Sequence, residues 1–339
     1  MINEKYKGII IILLLLLFLF GCTITTGSPQ ETIIVDPIKI SYNTQPKINT
    51  YEYYLKNERN TIYFELFGGL NDYFKLLDRN IYYTYKEPSL IDFINKKINN
   101  EIQQENLSLS INKIKNMNIS NDDKARIIIS LVQNIPYDDW AADTNTVTGK
   151  YPYEVLYTET GVCGEKSQLI VLFLKEFGFG TALFNFEIEN HQAAGIKCPI
   201  EYSYKNSGYC FIEATTPNII TDSYGDYVGA GKLISIPEIS IMSDGYEFNP
   251  IEEISILNYY NDIDKNKIEL GIKIDELKIK LDEINNELSY ISDTTLYNQR
   301  IDEYNTYNDE RNKYIDEQTT LIDKYNSYLD NNYWAFYNQ

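Results

Sequence analysis

The apolar run that follows Cys163 constrains the fold of this chain more than any other segment. From Cys163 onward, large apolar residues recur at helical spacing, and the run ends near Gly178, a residue suited to a helix C-cap. The apolar positions of this run are Leu169, Ile170, Leu172, Phe173 and Phe177. Because they form a broad stripe, we predict that this helix lies in the core of a domain.

Three short segments after this helix predict β-strands: residues 181–186, 191–198 and 209–215. Residues 205–208 predict the turn between the second strand and the third. Strands joined by such short connections pair antiparallel. The predicted fold class is therefore α+β, with an antiparallel sheet packed against the helix that begins at Cys163.

Further elements are predicted before this core. Alternating residues at 61–66 predict a strand, and residues 88–104 predict a helix with its apolar residues on one face. Another helix is predicted to begin at Asn121, which supplies its N-cap, and to stop before Pro136. We assign residues 51–255 to one domain, with its core at about residues 121–220.

Composition excludes one class of partner. The 339 residues are 43% hydrophobic and 23% charged, so the chain can bury a core, and the formal net charge is −19. Binding to nucleic acid depends on concentrated Lys and Arg that neutralise phosphates. We therefore expect no nucleic-acid partner.

The first 22 residues are typical of an export signal. Two lysines precede twelve apolar residues, 9–20, which are too few to span a hydrocarbon core comfortably. The run ends in Leu19-Phe20-Gly21-Cys22, which resembles the lipobox of prokaryotic lipoproteins. That resemblance implies lipidation of Cys22 and a lipid anchor on the extracytoplasmic face of the cell membrane. An uncleaved signal anchor is the alternative.

Residues 23–50 are rich in Thr, Pro, Ser and Gln and predict a flexible tether. Export also affects the cysteines, because an oxidising exterior permits disulfides. Cys198 and Cys210 flank the predicted turn and are candidates for a disulfide, with reduced cysteines as the alternative. Cys163 would then be the odd thiol, and an odd thiol in an exported protein is a candidate reactive group.

Residues 262–332 predict a helical hairpin or one arm of a coiled coil. Apolar residues repeat with 4-3 spacing on both sides of a polar break at residues 292–295. The second half admits polar residues at the seam: Asn308, Arg311 and Gln318. With 9 Lys or Arg and 17 Asp or Glu, the segment has a net charge of −8. It is either a solvated packing arm or a surface for a protein partner or self-association.

The order of three residues indicates thiol chemistry. His191, the only histidine in the chain, lies 28 positions after Cys163 and 22 before Glu213. A thiolate at the first turn of a helix is stabilised by unpaired backbone N–H groups and the helix dipole. His191 would act as the base, and Glu213 would orient its ring. The sequence thus predicts a catalytic set of Cys163, His191 and Glu213.

An oxyanion hole would complete this site. The backbone N–H of Cys163 is a natural donor, and a side chain from the preceding segment would supply a second. Gln133, Tyr137 and Trp140 are the candidates, and the sequence does not choose among them. With one histidine and no Cys-x-x-Cys pair, we expect neither a metal site nor a cofactor.

Four segments carry the local context of these residues. They are Tyr151-Pro152-Tyr153-Glu154-Val155-Leu156, Gly161-Val162-Cys163-Gly164-Glu165-Lys166-Ser167, Asn190-His191-Gln192-Ala193-Ala194-Gly195 and Phe211-Ile212-Glu213-Ala214-Thr215. Together they resemble the transglutaminase-like superfamily of papain-fold thiol enzymes. The resemblance implies a papain-like core, with Cys163 as nucleophile, His191 as base and Glu213 at the acid position. The chain departs from the family at Glu213, where aspartate is more usual, and at Gln192 and Ala193, where an aromatic residue is more usual.

The resemblance implies acyl transfer, in which Cys163 attacks an amide carbonyl and water or an amine resolves the acyl-enzyme. Hydrolysis of a protein or cell-envelope peptide is the expected reaction, because no amine site is evident. Two alternatives stay open. One is a protein-crosslinking transglutaminase, and the other is a non-catalytic envelope interaction or scaffold protein that retains the fold.

Overall fold

A computed structural model describes residues 45–331 except Asn57, Asn145, Val147, Thr148, Asp226 and Val228. The fold is mixed α and β, with antiparallel sheets and long C-terminal helices, which confirms the predicted α+β class. The export signal predicted for residues 1–22, and most of the tether predicted for residues 23–50, lie outside the described residues. Among the described helices, none has both the length and the apolar character needed to cross a bilayer.

The N-terminal part is a two-stranded antiparallel sheet followed by helices. The sheet pairs β1 (Lys47–Leu55) with β2 (Glu58–Leu66). In β2, Ile62, Phe64 and Leu66 are buried in alternation with exposed residues, as expected for a strand with one face on the core. The helices that follow are α1 (Gly68–Leu76), α2 (Leu90–Ile98), α3 (Glu101–Lys115), α4 (Asn121–Gln133), α5 (Asp139–Asp143), α6 (Pro152–Thr158) and α7 (Cys163–Glu176).

Helix α7 is the centre of the molecule. Its residues from Glu165 to Leu174 are all buried, because the helix packs against α2, α4 and α6 as well as the second sheet. The helix ends in a Schellman motif, in which the N–H of Gly178 donates to the Lys175 carbonyl and the N–H of Phe179 to the Leu174 carbonyl. Gly178 adopts a φ of +84°, so a residue with a side chain would be strained there.

The second sheet has four antiparallel strands in the order β5-β4-β3-β6. Three of them follow α7 directly, and these are β3 (Thr181–Phe186), β4 (His191–Lys197) and β5 (Tyr209–Ile212). The edge strand β6 (Glu238–Ser243) pairs with β3 and was not predicted. One face of the sheet packs on α7, and the other carries an aromatic cluster that includes Phe184, Phe186 and Phe211.

Two helix boundaries differ from the prediction. The helix predicted at residues 88–104 is two helices, because Asn99 ends α2 and the Asn100 side chain caps α3 by accepting the Gln103 N–H. Likewise, the N-cap of α4 is Ser120 rather than Asn121, since the Ser120 hydroxyl accepts the Asp123 N–H at 3.0 Å. Where two short polar residues are neighbours at a helix end, either side chain can serve as the cap. The backbone conformation decides which of the two does so.

The chain ends in two long helices, α8 (Ile251–Leu288) and α9 (Thr294–Asn331). Cross-helix contacts show that they are antiparallel, since Arg300 pairs with Glu287 near the turn while Lys267 lies over the ring of Tyr325 near the open end. The polar seam residue Gln318 donates from Nε2 to the Lys267 carbonyl. Helix α8 begins before residue 262, because its first turns pack on the α+β part.

Cys198 and Cys210 form a disulfide that joins the end of β4 to β5. The connection between them contains two short 3₁₀ helices, Ile200–Tyr202 and Tyr204–Asn206, rather than a simple tight turn. Both sulfur-bearing residues are buried, so the bond contributes to the core as well as closing a loop.

We expect loss of this disulfide to lower the free energy of unfolding by about 3 kcal/mol, because it closes a loop with a sequence separation of 12. Urea unfolding of Cys198→Ala and of the double variant Cys198→Ala/Cys210→Ala measures this. The single and double variants should lose similar amounts, since either one removes the same bond. A loss below about 1 kcal/mol in both would contradict the loop-closure argument.

Candidate active site

Cys163 is the first residue of α7 and the only free cysteine among the described residues. It is half-buried, so its thiol is reachable from solvent. Behind it, the Glu165 carboxylate accepts the N–H groups of Val162 and Lys150, which fixes the approach of the chain to the helix. The sulfur therefore lies at a rigid helix start, where free backbone N–H groups favour negative charge.

His191 and Glu213 meet in the structure. His191 is the first residue of β4, Glu213 directly follows β5, and the two strands pair antiparallel. His191 Nε2 lies 2.9 Å from Glu213 Oε2, and both side chains are almost completely buried. The sheet thus brings together two residues that are 22 positions apart in the sequence.

Cys163 lies close enough to the same imidazole to affect its pKa. Because Nε2 is bonded to Glu213, Nδ1 is the ring nitrogen left for the thiol. Burial alone would lower the pKa of His191, but the hydrogen bonds and charges of Cys163 and Glu213 outweigh it and raise the pKa to about 10. The histidine is therefore a cation at neutral pH, held between two potential anions.

The second carboxylate oxygen of Glu213 is also fully bonded. Oε1 accepts the N–H of Ala214 at 3.0 Å, the N–H of Thr215 at 2.7 Å and the Thr215 hydroxyl at 2.6 Å. Burial would raise the pKa of Glu213, but the bonds to His191 and Thr215 lower it overall. Glu213 thus stays ionised and can only accept, so the hydrogen between it and His191 belongs to Nε2.

Lys166, on the first turn of α7, is fully buried below this set. Its ammonium donates to the carbonyls of Gln133 at 3.2 Å, Ile135 at 2.5 Å and Thr215 at 3.0 Å. Burial lowers the pKa of Lys166 to about 7, whereas three carbonyl acceptors require the three N–H groups of the protonated form. One side chain therefore ties the cysteine helix to the segment that carries Glu213.

The three oxyanion candidates are placed differently. Gln133 is unsuited, because its side-chain N–H₂ already donates to the carbonyls of Glu213 and Asn218 inside the core. Trp140 is 70% exposed on α5, and nothing in the structure directs its indole toward Cys163. Tyr137 is the candidate that lies near the site, because its backbone forms a β-bridge with Gly161, two residues before Cys163. Burial and the neighbouring Cys163 raise the pKa of Tyr137 to about 12. A phenol that stays protonated is able to donate to an oxyanion.

Two residues of the site, Lys166 and Tyr227, were not predicted from the sequence. Lys166 lies in the segment of residues 161–167 around Cys163. Its role depends on hydrogen bonds to carbonyls that are distant in the sequence, those of Gln133 and Thr215. Tyr227 stacks on the His191 ring with a centroid distance of 6.0 Å and an interplanar angle of 8°. No sequence signal marks Tyr227, because it lies in an irregular segment after β5. The Tyr227 ring therefore belongs to the surroundings of the imidazole.

Cys22, the predicted lipidation site, lies outside the described residues. In the part of the chain that the structure describes, no three His, Cys, Asp or Glu side chains are grouped to hold a metal ion. Neither a family model, a curated protein nor a solved structure matches this chain. The function is therefore argued from the geometry of the site.

Because the chain has one histidine, NMR of a histidine-labelled sample reports His191 alone. We expect an imidazolium signal up to about pH 10, and a lower pKa in Glu213→Gln, which loses the charged acceptor. Since the folded pKa exceeds the ordinary value of 6.5, His191 stabilises the fold below pH 6.5, and this is lost as pH rises toward 10. Glu189→Gln is the control, because that carboxylate bonds Ser235 instead. Titration of wild-type His191 near pH 6.5 would refute the buried ion pair.

The variant Lys166→Met tests whether Lys166 positions the acid. Without the ammonium, the Thr215 carbonyl loses its donor and Glu213 is held less firmly, so we expect the pKa of His191 to fall. If Lys166 acts only through its charge, the pKa of His191 should rise instead, because the variant removes a cation near Glu213. NMR titration of His191 in Lys166→Met distinguishes the positioning role from the electrostatic one. Lys175→Met, in the last turn of the same helix, should leave the His191 titration unchanged.

Proposed function

We propose that this chain is an extracytoplasmic thiol enzyme of the transglutaminase-like superfamily, with a papain-like core. Its reaction is the hydrolysis of amide bonds in proteins or cell-envelope peptides, with Cys163 as nucleophile, His191 as base and Glu213 as the residue that orients the base. A lipid on Cys22 would anchor it to the cell membrane. The observation that carries the proposal is the buried bond of 2.9 Å between His191 Nε2 and Glu213 Oε2, with Cys163 near enough to raise the pKa of the same ring.

The geometry supports separate roles for the base, the nucleophile and the oxyanion donors. The raised pKa of His191 favours an imidazolium near Cys163, so the ring holds a proton that it can give to the leaving amine. The thiolate would attack the amide carbonyl, forming the S–C bond and placing negative charge on the carbonyl oxygen. The backbone N–H of Cys163 and the hydroxyl of Tyr137 are the donors available for that oxygen.

Collapse of this intermediate breaks the C–N bond, and the imidazolium gives its proton to the leaving amine. The neutral imidazole then takes a proton from water, which attacks the thioester and releases the acid. Glu213 keeps its charge throughout, since its role is to hold Nε2–H and stabilise the imidazolium. The low pKa of Glu213 supports this role, because a protonated acid would compete for the same hydrogen.

Alkylation by iodoacetamide tests the proposal, because only the thiolate reacts. At pH 6 we expect rapid labelling of Cys163, located by mass spectrometry of the peptide. In His191→Ala the rate should fall roughly tenfold or more, since an ordinary cysteine is only a few per cent thiolate at neutral pH. Glu187→Ala, at the exposed start of the same turn, is the matched control and should keep the wild-type rate.

Equal and ordinary reactivity in wild type and His191→Ala would refute a working catalytic set. The chain would then be better described as an envelope interaction module. The supporting observation for that function is an exposed apolar stripe on α8, formed by Ile268, Ile272 and Ile279 at helical spacing. If Cys163 is hyperreactive, incorporation of a labelled primary amine into a glutamine-bearing protein separates crosslinking from hydrolysis.

A further inference from the structure

We propose that a second site on this protein binds a small oxyanion, either a carboxylate or a phosphate group. The site is a cavity of about 100 Å³ beside α2, and it is independent of the proposed enzyme. Three cationic side chains line it, and none of its lining residues is acidic. The lining residues are Arg79, Phe93, Lys96, Lys97, Gly149 and Tyr151.

Lys97 is the first reason to expect an anion. Its side chain is partly buried, and among the described residues no hydrogen bond of its ammonium is found. The nearest carboxylates are already used, because Glu165 accepts two backbone N–H groups and Glu154 is bonded to Arg79. A partly buried ammonium without an acceptor is poorly compensated for its lost water, and a bound anion would supply that acceptor.

Arg79 provides a second unpaired donor at the same cavity. Its guanidinium lies over the ring of Tyr151, at 5.5 Å from the ring centroid. One terminal nitrogen donates to the carbonyls of Phe74, Lys75 and Leu77, and the other donates to Glu154 at 2.8 Å. The remaining Nε–H is buried and has no partner. Two unrelated cations therefore leave donors unsatisfied at one cavity.

Lys96 supplies the exposed side of the cavity. Its ammonium donates to the carbonyls of Asp78 and Asn80, both at 2.6 Å, so one of its three N–H groups is left. Gly149, with a φ of +69°, brings the backbone close to Lys97, so that a Cβ built there would lie 3.8 Å from Lys97 Nζ.

The size and the donors together define the ligand class. A volume of about 100 Å³ corresponds to roughly three water molecules, which is enough for a carboxylate or a tetrahedral oxyanion. Ammonium and guanidinium donors form their strongest hydrogen bonds with charged oxygen atoms. The ligand is therefore a small group with charged oxygens, free or at the end of a larger molecule.

Binding of inorganic phosphate and of acetate to the full chain tests the proposal. Calorimetric titration is performed with each anion at constant ionic strength, with chloride as the balancing salt. We expect saturable binding of at least one of the two, and the anion that binds more tightly identifies the preferred chemistry. In Lys97→Met and in Lys96→Met, the affinity should fall roughly tenfold or more, because each variant removes a charged donor.

Lys278→Met is the matched control, since it makes the same charge change at an exposed position on α8 and should bind like wild type. Lys96 is exposed, so its variant keeps the proposal testable even if Lys97→Met fails to fold. Equal affinities in wild type and both cavity variants would show a general salt effect and overturn the proposal. An absence of saturable binding by wild type with both anions would overturn it as well.

Discussion

The burial of helix α7 from Glu165 to Leu174 is the constraint on which the rest of the structure depends. Sheet strands cover one side of this helix and other helices cover the remaining sides. Its residues 169–174 are apolar, but the turns before them carry Lys166, Ser167 and Gln168, which are buried as well. A buried polar group without a hydrogen bond is costly, so each of these side chains requires a partner from another segment.

The hydrogen-bond partners of these buried side chains lie in the segments that form the candidate site. Lys166 bonds the carbonyls before Tyr137 and after Glu213, while the Ser167 hydroxyl donates to the carbonyl of Gln192, next to His191. The groups that satisfy the buried helix therefore come from the segments that carry the predicted base and acid. Packing of the core and alignment of the site depend on the same hydrogen bonds, so weakening one is expected to disturb the other.

Much of the fold and of the candidate site could be predicted from the sequence, because helix periodicity, helix caps and residue order are local features. The apolar period after Cys163, Gly178 at the helix end and the order of Cys163, His191 and Glu213 are all visible without coordinates. The edge strand β6 was missed because its residues are short, mixed in polarity and far from their partner β3 in the sequence. The division of α2 from α3 was missed because Asn99 and Asn100 act as caps only if the chain turns there.

The sequence by itself determined the types of residue present, their order and the positions of the main helices and strands, because helical and strand periodicity are properties of neighbouring residues. Only the tertiary structure decided which side chains meet. It excluded Gln133 as an oxyanion donor by using its amide in the core, and it placed Lys166 and Tyr227 around His191. It also gathered Arg79, Lys96 and Lys97 at one cavity. The physical reason is that burial forces each polar group to find a partner, and that partner is set by packing rather than by sequence distance.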